Sequence, residues 1–233
     1  GFLPGDNPAN SLTGSPNIST TATTSSTPGT YTIRVTRGTL ASSKYNLVFV
    51  NGTMTVTKAV LTLTADNKSK LYRTSNPTLT YTVTGFVLGQ TPRTSGVTGS
   101  PNLSTTATTT SPVGTYPIII TNGTLNSSRY SFNFVNGTLT INPRSLTITA
   151  NAVSKVYGNV DPALTYRITS GSLLGGDVLT GSLTRASGEN VGSYAIGIGT
   201  LAASSNYAIT FIPNSLTITR LSVTVRAQAR TKV

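Results

Sequence analysis

Five carboxylates, Asp6, Asp66, Asp161, Asp177 and Glu189, are all the acidic side chains in this chain of 233 residues, which has no His and no Cys. Hydrolytic, redox and metal chemistry draws mostly on these residue types, so the inventory of reactive groups is short. A paired-carboxylate enzyme needs two acids at a defined separation. These five are scattered and mostly not retained between the repeats described below, where Asp6 aligns with Gln90 and Asp66 with Asn151. They read as solvated turn carboxylates and not as catalytic or calcium-binding groups. Thr and Ser number 45 and 27, yet no base stands ready to activate a hydroxyl as a nucleophile. The sequence therefore implies no enzyme, no metal and no cofactor.

Cations are more plentiful. Seventeen Lys and Arg give a net charge of +12, distributed as +3 over residues 1–58, +4 over 59–143, +1 over 144–219 and +4 over 220–233. The last stretch carries Arg220, Arg226, Arg230 and Lys232 without an acid. These four are the candidate contacts to a polyanion such as acidic polysaccharide or lipopolysaccharide, held through counterion release. Basic positions differ between repeats, and no helix-turn-helix, zinc-finger or RNA-binding aromatic signature accompanies them, so specific nucleic-acid recognition is not expected.

The elements that would position these groups are strands. Thr, Ser, Gly and Pro favour strands and turns over helices, and apolar residues alternate in short strings with no run long enough to span a bilayer as a helix. Leu79, Tyr81 and Val83 share one face, as do Tyr116, Ile118 and Ile120, and Tyr130, Phe132 and Phe134. That pattern predicts half-buried strands and a Phe134 ring in the core. Asn136-Gly137 and Asn51-Gly52 have the composition of two-residue hairpin turns. Pro213-Asn214 stands at the same site in a later copy, and predicts a longer or differently shaped connection there.

The chain repeats itself with a period of about 85 and then about 75 residues. Gly14-Ser15-Pro16-Asn17-Ile18-Ser19-Thr20-Thr21-Ala22 returns as Gly99-Ser100-Pro101-Asn102-Leu103-Ser104-Thr105-Thr106-Ala107. Tyr31, Tyr116 and Tyr194 each follow Gly-Thr or Gly-Ser, and Tyr45, Tyr130 and Tyr207 each follow a Ser-rich loop. Each is either an aromatic platform for a ligand or a core ring with its hydroxyl tied to a loop; recurrence in every copy favours the second, because a fold requirement must recur and a ligand site need not. The complete copies span 59–143 and 144–219, each opened by an alternating string, Leu61-Thr62-Leu63-Thr64-Ala65 or Leu146-Thr147-Ile148-Thr149-Ala150. Residues 1–58 form a copy without its opening strand, and 220–233 form an opening strand without its copy, so both ends fall inside a repeat and the chain reads as a fragment. Joints such as Asn142-Pro143-Arg144-Ser145 are too short for a flexible linker.

Leu146-Thr147-Ile148-Thr149-Ala150, Tyr157-Gly158, Pro162-Ala163-Leu164-Thr165-Tyr166, Gly192-Ser193-Tyr194 and Asn206-Tyr207 together resemble the bacterial MBG repeat of the Tyr-Gly-X type, and the resemblance covers essentially the whole chain. It implies a stalk-like module of long secreted or surface-anchored adhesin-like proteins, with no catalytic residues. Residues 59–143 depart from the pattern, with Tyr72-Arg73 in place of Tyr157-Gly158. The expected fold class is mainly β, a tandem array of small β-domains. Each is an immunoglobulin-like β-sandwich or, alternatively, β-grasp-like with one short helix. Expected partners are neighbouring repeats of the same or an identical chain, with Leu221, Val223 and Val225 as the apolar face of a strand that could be donated head to tail.

Overall fold

A computed structural model describes residues 1–232. It is nearly all β, with seventeen strands and, among the described residues, one four-residue helix, Pro8–Ser11. No helix among them is long and apolar enough to cross a membrane.

The repeat that begins at residue 144 is complete and serves as the reference. Its opening strand Arg144–Ala150 pairs antiparallel with Tyr166–Ser170 and parallel with Tyr207–Ile212. A second sheet runs in the order Val153–Val156, Asn214–Thr219, Gly192–Gly197, Thr184–Arg185, and its first pair is also parallel. The period-2 pattern decides which face is buried. Leu146, Ile148 and Ala150 on the opening strand, and Ile196, Leu216 and Ile218 on the second sheet, are all at most 1% exposed. Residues 59–143 repeat the plan: Ala59–Ala65 lies between Tyr81–Thr84 and Tyr130–Val135, and Lys68–Leu71 pairs parallel with Gly137–Asn142. The array is thus a mainly-β tandem repeat. Every complete copy carries two parallel pairs, which all-antiparallel sandwich sheets lack.

Residues 1–58 show what the opening strand does. Here one three-stranded sheet survives, in the order Asn17–Thr20, Gly29–Thr36, Gly52–Val56. Residues 45–50, the counterpart of Tyr130–Val135 and Tyr207–Ile212, form no strand. The reason is geometric: in the complete copies that strand's only ladder is the parallel one to the opening strand. Met54 is 42% exposed, whereas its counterparts Leu139 and Leu216 are fully buried. Likewise residues 220–232 carry the alternation of an opening strand but have no partner, and they lie exposed and without regular structure.

Three expectations are corrected. Asn136-Gly137 is not a hairpin turn, because Tyr130–Val135 and Gly137–Asn142 belong to different sheets. The pair is a corner that carries the chain from one sheet to the other, and Asn136 Oδ1 accepts a hydrogen bond there from the Ile120 amide at 3.1 Å. Glycine is required at 137 for close approach and not for positive φ, since a Cβ would stand 2.5 Å from the Ala65 carbonyl oxygen. The Pro213-Asn214 site makes the same one-residue crossing, Ile212 to Asn214, with no added length; a corner needs neither the positive φ nor the amide that a hairpin turn would demand of residue 213. Phe134 is half-buried rather than core, tilted against Phe132 with centroids 6.4 Å apart.

Contacts divide the chain into two compact units. One comprises Gly1–Asp66, Leu79–Ser104 and Ile118–Gly137; the other comprises Asn67–Thr78, Thr105–Pro117 and the chain from Thr138 onward. The division passes through residues 59–143, so the residues on either side of each joint share a unit.

Candidate functional site

Two tyrosines per copy do the same work three times. Tyr31, Tyr116 and Tyr194 each donate to the carbonyl four residues earlier, that of Thr27, Pro112 and Asn190, at 2.8 to 2.9 Å. Tyr45, Tyr130 and Tyr207 each donate to a loop side chain, Asp6, Gln90 and Asp177. In return each phenolic oxygen accepts from a loop amide, that of Leu3, Val87 or Leu174. The second set therefore uses its hydroxyl twice within the fold, as an amphipathic ring with a tethered tip does. Asp6 and Asp177, read from sequence as solvated, are acceptors for these rings. The Lys44 ammonium and the Tyr45 hydroxyl hold the Asp6 carboxyl below the usual range.

Asp161 and Glu189 are exposed carboxylates outside the strands, as read from the sequence, but they are not isolated from each other. Twenty-eight residues apart in the chain, they meet around Lys155 and Arg185, which stand on the two outer strands of the second sheet. Lys155 Nζ lies 2.6 Å from Asp161 and 2.5 Å from Glu189, and Arg185 Nε lies 2.7 Å from the other Asp161 oxygen. The Arg185 guanidinium closes the ring on Glu189 and lies 5.5 Å over Tyr194. The Lys155 side chain is 4% exposed, so its charge is matched where water is scarce. Lys70, the equivalent residue of the preceding copy, is buried as well, but it donates to the Thr74 and Thr108 carbonyls. Asn76 replaces Asp161 there and donates to the Ala107 carbonyl. One buried lysine thus has two solutions, an ionic one and a neutral one.

The ionic solution has a pH signature. Hydrogen bonds from Arg185 and then Lys155 hold the Asp161 carboxyl below its ordinary range, and those from Lys155 and then Arg185 do the same for Glu189. A carboxyl depressed by folding contributes stability above its unfolded pKa, about 4, and that contribution is lost as pH falls through the folded value. Acidification below about pH 4 is therefore expected to speed hydrogen exchange in Gly192–Gly197 well before Gly114–Thr121, whose copy lacks the acid pair. Equal acid sensitivity of the two strands would contradict the assignment.

The joints are held by residues from both sides. At the first, Lys58 Nζ donates to the Ser127 carbonyl at 2.7 Å and Arg129 donates to the Ser25 carbonyl. At the second, Asn206 takes the place of Arg129 and accepts from the Val113 amide at 2.9 Å. Tyr72 is 4% exposed and stands edge-on to Tyr207 with centroids 5.8 Å apart, while Arg144 Nε donates to the Tyr72 carbonyl at 2.7 Å. Arg73 occupies the position of Gly158 (φ 90°) and itself takes φ 58°, a left-handed conformation that an L side chain resists. Its side chain offsets that strain: it donates to the Tyr72 hydroxyl and the Gly175 carbonyl, and sits 3.9 Å from Asp177.

The four terminal cations singled out from sequence are not gathered. Arg220, Arg226, Arg230 and Lys232 are strung along an exposed segment without regular structure. In repeat register Lys232 is the equivalent of Lys70 and Lys155, the two buried lysines. Leu221, Val223 and Val225 are 59%, 80% and 91% exposed.

A search among curated proteins finds no match. The MBG domain (YGX type) matches three times, over residues 1–55, 61–140 and 146–217, which are the three copies seen in the fold. It is a non-catalytic repeat domain; the last match contains the Tyr157-Gly158 pair, and Tyr72-Arg73 stands at the equivalent place in the match before it. With three consecutive matches and the same strand plan in each complete copy, the chain belongs to the MBG domain family of the YGX type.

Proposed function

We propose that the chain is a segment of an extracellular stalk or filament in a bacterial surface or secreted adhesin-like protein, in which the copies at 1–58, 59–143 and 144–219 set reach and stiffness. What supports this reading above all is the clamping of both joints by side chains from each neighbour, with only Thr57 and Lys58 between closing and opening strand at the first joint and only Pro143 at the second. A linker of that length leaves a repeat little freedom to fold back. Small-angle scattering tests it. The stalk reading requires a radius of gyration well above the roughly 17.5 Å of a compact protein of this length, and a value near that figure would end it.

A second reading, a module for acidic polysaccharide or lipopolysaccharide, is favoured by the net charge of +12 and by Arg220, Arg226 and Arg230. Lys232 counts against it, because its register is that of a lysine turned inward. Retention on immobilised dextran sulfate separates the readings. Binding that falls steeply between 50 and 200 mM salt is the mark of counterion release, and an inert particle supports the stalk.

A further inference from the structure

At the second joint an arginine stands where the backbone favours glycine, and a glycine stands where the backbone tolerates a side chain. Arg73 takes φ 58°, and glycine holds the equivalent place at 158. Gly175 takes φ 60°, yet Leu88 bears φ 56° at the equivalent place of the copy before. The equivalence is fixed on both sides. The Val87 and Leu174 amides donate to the hydroxyls of Tyr130 and Tyr207, and Gln90 and Asp177 accept from the same two hydroxyls. What glycine supplies at 175 is room. A Cβ there would stand 1.9 Å from Arg73 Nη1 and 2.0 Å from Cζ, so the guanidinium would be driven off the Gly175 carbonyl, which its Nη2 reaches at 3.3 Å. Asp177 supplies charge. Gln90 serves its tyrosine without any, whereas the Asp177 oxygen that accepts from Tyr207 also lies 3.9 Å from Arg73 Nε.

We propose that Arg73, Gly175 and Asp177 are a matched set by which the repeat at 59–143 selects the repeat that follows it. The partner it fits is an MBG repeat with glycine and a carboxylate at the positions of 175 and 177. A repeat with Leu and Gln there, as at 88 and 90, is turned away, because its side chain takes the space of the guanidinium and its amide leaves the cation unmatched. Attraction for one neighbour is thus joined to a clash with another, which is how related partners are told apart. The Arg73 and Asp177 side chains are 26% and 24% exposed, so space carries more of the selection than charge. A repeat with Tyr-Gly in place of Tyr72-Arg73 brings no guanidinium and asks for neither residue. The selection concerns which repeats can be neighbours and does not depend on the stalk reading, whose test is the shape of the particle.

A mutant cycle in the intact chain tests it. Gly175→Leu with Asp177→Gln gives the second repeat the residues of the first, and Arg73→Gly removes the guanidinium. The readout is hydrogen exchange of the Tyr72 and Leu174 amides, which donate to the Asn142 carbonyl and the Tyr207 hydroxyl. With Arg73 present the exchanged pair is expected to speed both amides about tenfold, and in the Arg73→Gly chain by no more than about twofold. The strain of a side chain at 175 is common to both backgrounds and cancels. Gly175→Ala, with the smallest Cβ, is the second variant and should follow the same pattern if leucine unsettles the fold. Three outcomes overturn the proposal: equal effects of the exchanged pair in both backgrounds, no effect while Arg73 is present, or Asp177→Gln alone reproducing the whole effect, which would leave glycine at 175 without a part in the selection.

Discussion

Leu146→Ala is expected to lower stability by about 3 kcal/mol, in the middle of the range for truncating a buried leucine. Leu146 lies on the central strand of its sheet, between an antiparallel and a parallel neighbour, and is fully buried. The loss combines the transfer of about three carbons out of the core with a cavity that two ladders keep from collapsing. For a domain of this size the change amounts to a fall in melting temperature of roughly 12 °C or more. Ser145→Ala, one residue away on the exposed face, serves as the control and should stay within about 0.5 kcal/mol. Calorimetry of the two variants decides the matter, and similar melting temperatures would mean that the opening strand is not the centre of the fold.

Tyr72→Ala is the second large effect, about 3 kcal/mol or more by comparison with other buried aromatic truncations, and it should cross a repeat boundary. The ring belongs to residues 59–143 but packs on Tyr207 of the next copy, and the carbonyl of the same residue receives Arg144. Removing the ring therefore leaves a void against Tyr207, and exchange in Tyr207–Ile212 should accelerate although the substitution lies 135 positions earlier in the sequence. Tyr72→Phe retains the ring and loses only the acceptor for Arg73, so it should behave much more like the parent. An effect confined to residues 59–143 would show that the joint transmits nothing.

The strands, the repeats and the loop-tied tyrosines were legible because each rests on local pattern or on recurrence. Alternation places Leu146 and Ile148 inward without any knowledge of partners, and a hydroxyl needed by the fold returns in every copy. Sheet membership was not legible. Asn-Gly suits a tight hairpin, and nothing local to Asn136-Gly137 says that the strands on either side pair with residues some seventy positions earlier. The ionic ring around Lys155 was missed for a similar reason, since its members are separated by 6, 24 and 28 residues in overlapping steps. A usable signal was nevertheless present. Among basic positions that mostly differ between copies, Lys70, Lys155 and Lys232 coincide in repeat register, the first two at an inward position of a strand. A charge that recurs on a face reserved for the core announces a buried partner. Phe134 marks the limit of alternation, which assigns a side of the sheet and not a depth.

The two parallel ladders bear on how a repeat responds to tension. In residues 144–219 the chain enters through Arg144–Ala150 and leaves through Asn214–Thr219, and the parallel pairs tie entering strands to departing ones: six residue pairs between Arg144–Thr149 and Tyr207–Ile212, four between Val153–Val156 and Leu216–Thr219. Pulling on the two ends drags parallel neighbours past each other lengthwise, so the cross-links of a ladder are strained together. An antiparallel hairpin peeled from its open end would instead release them one at a time. Rupture of such a module has to break a whole row in a single event, and the lifetime of the module under load is then governed by its unfolding rate and not by its equilibrium stability.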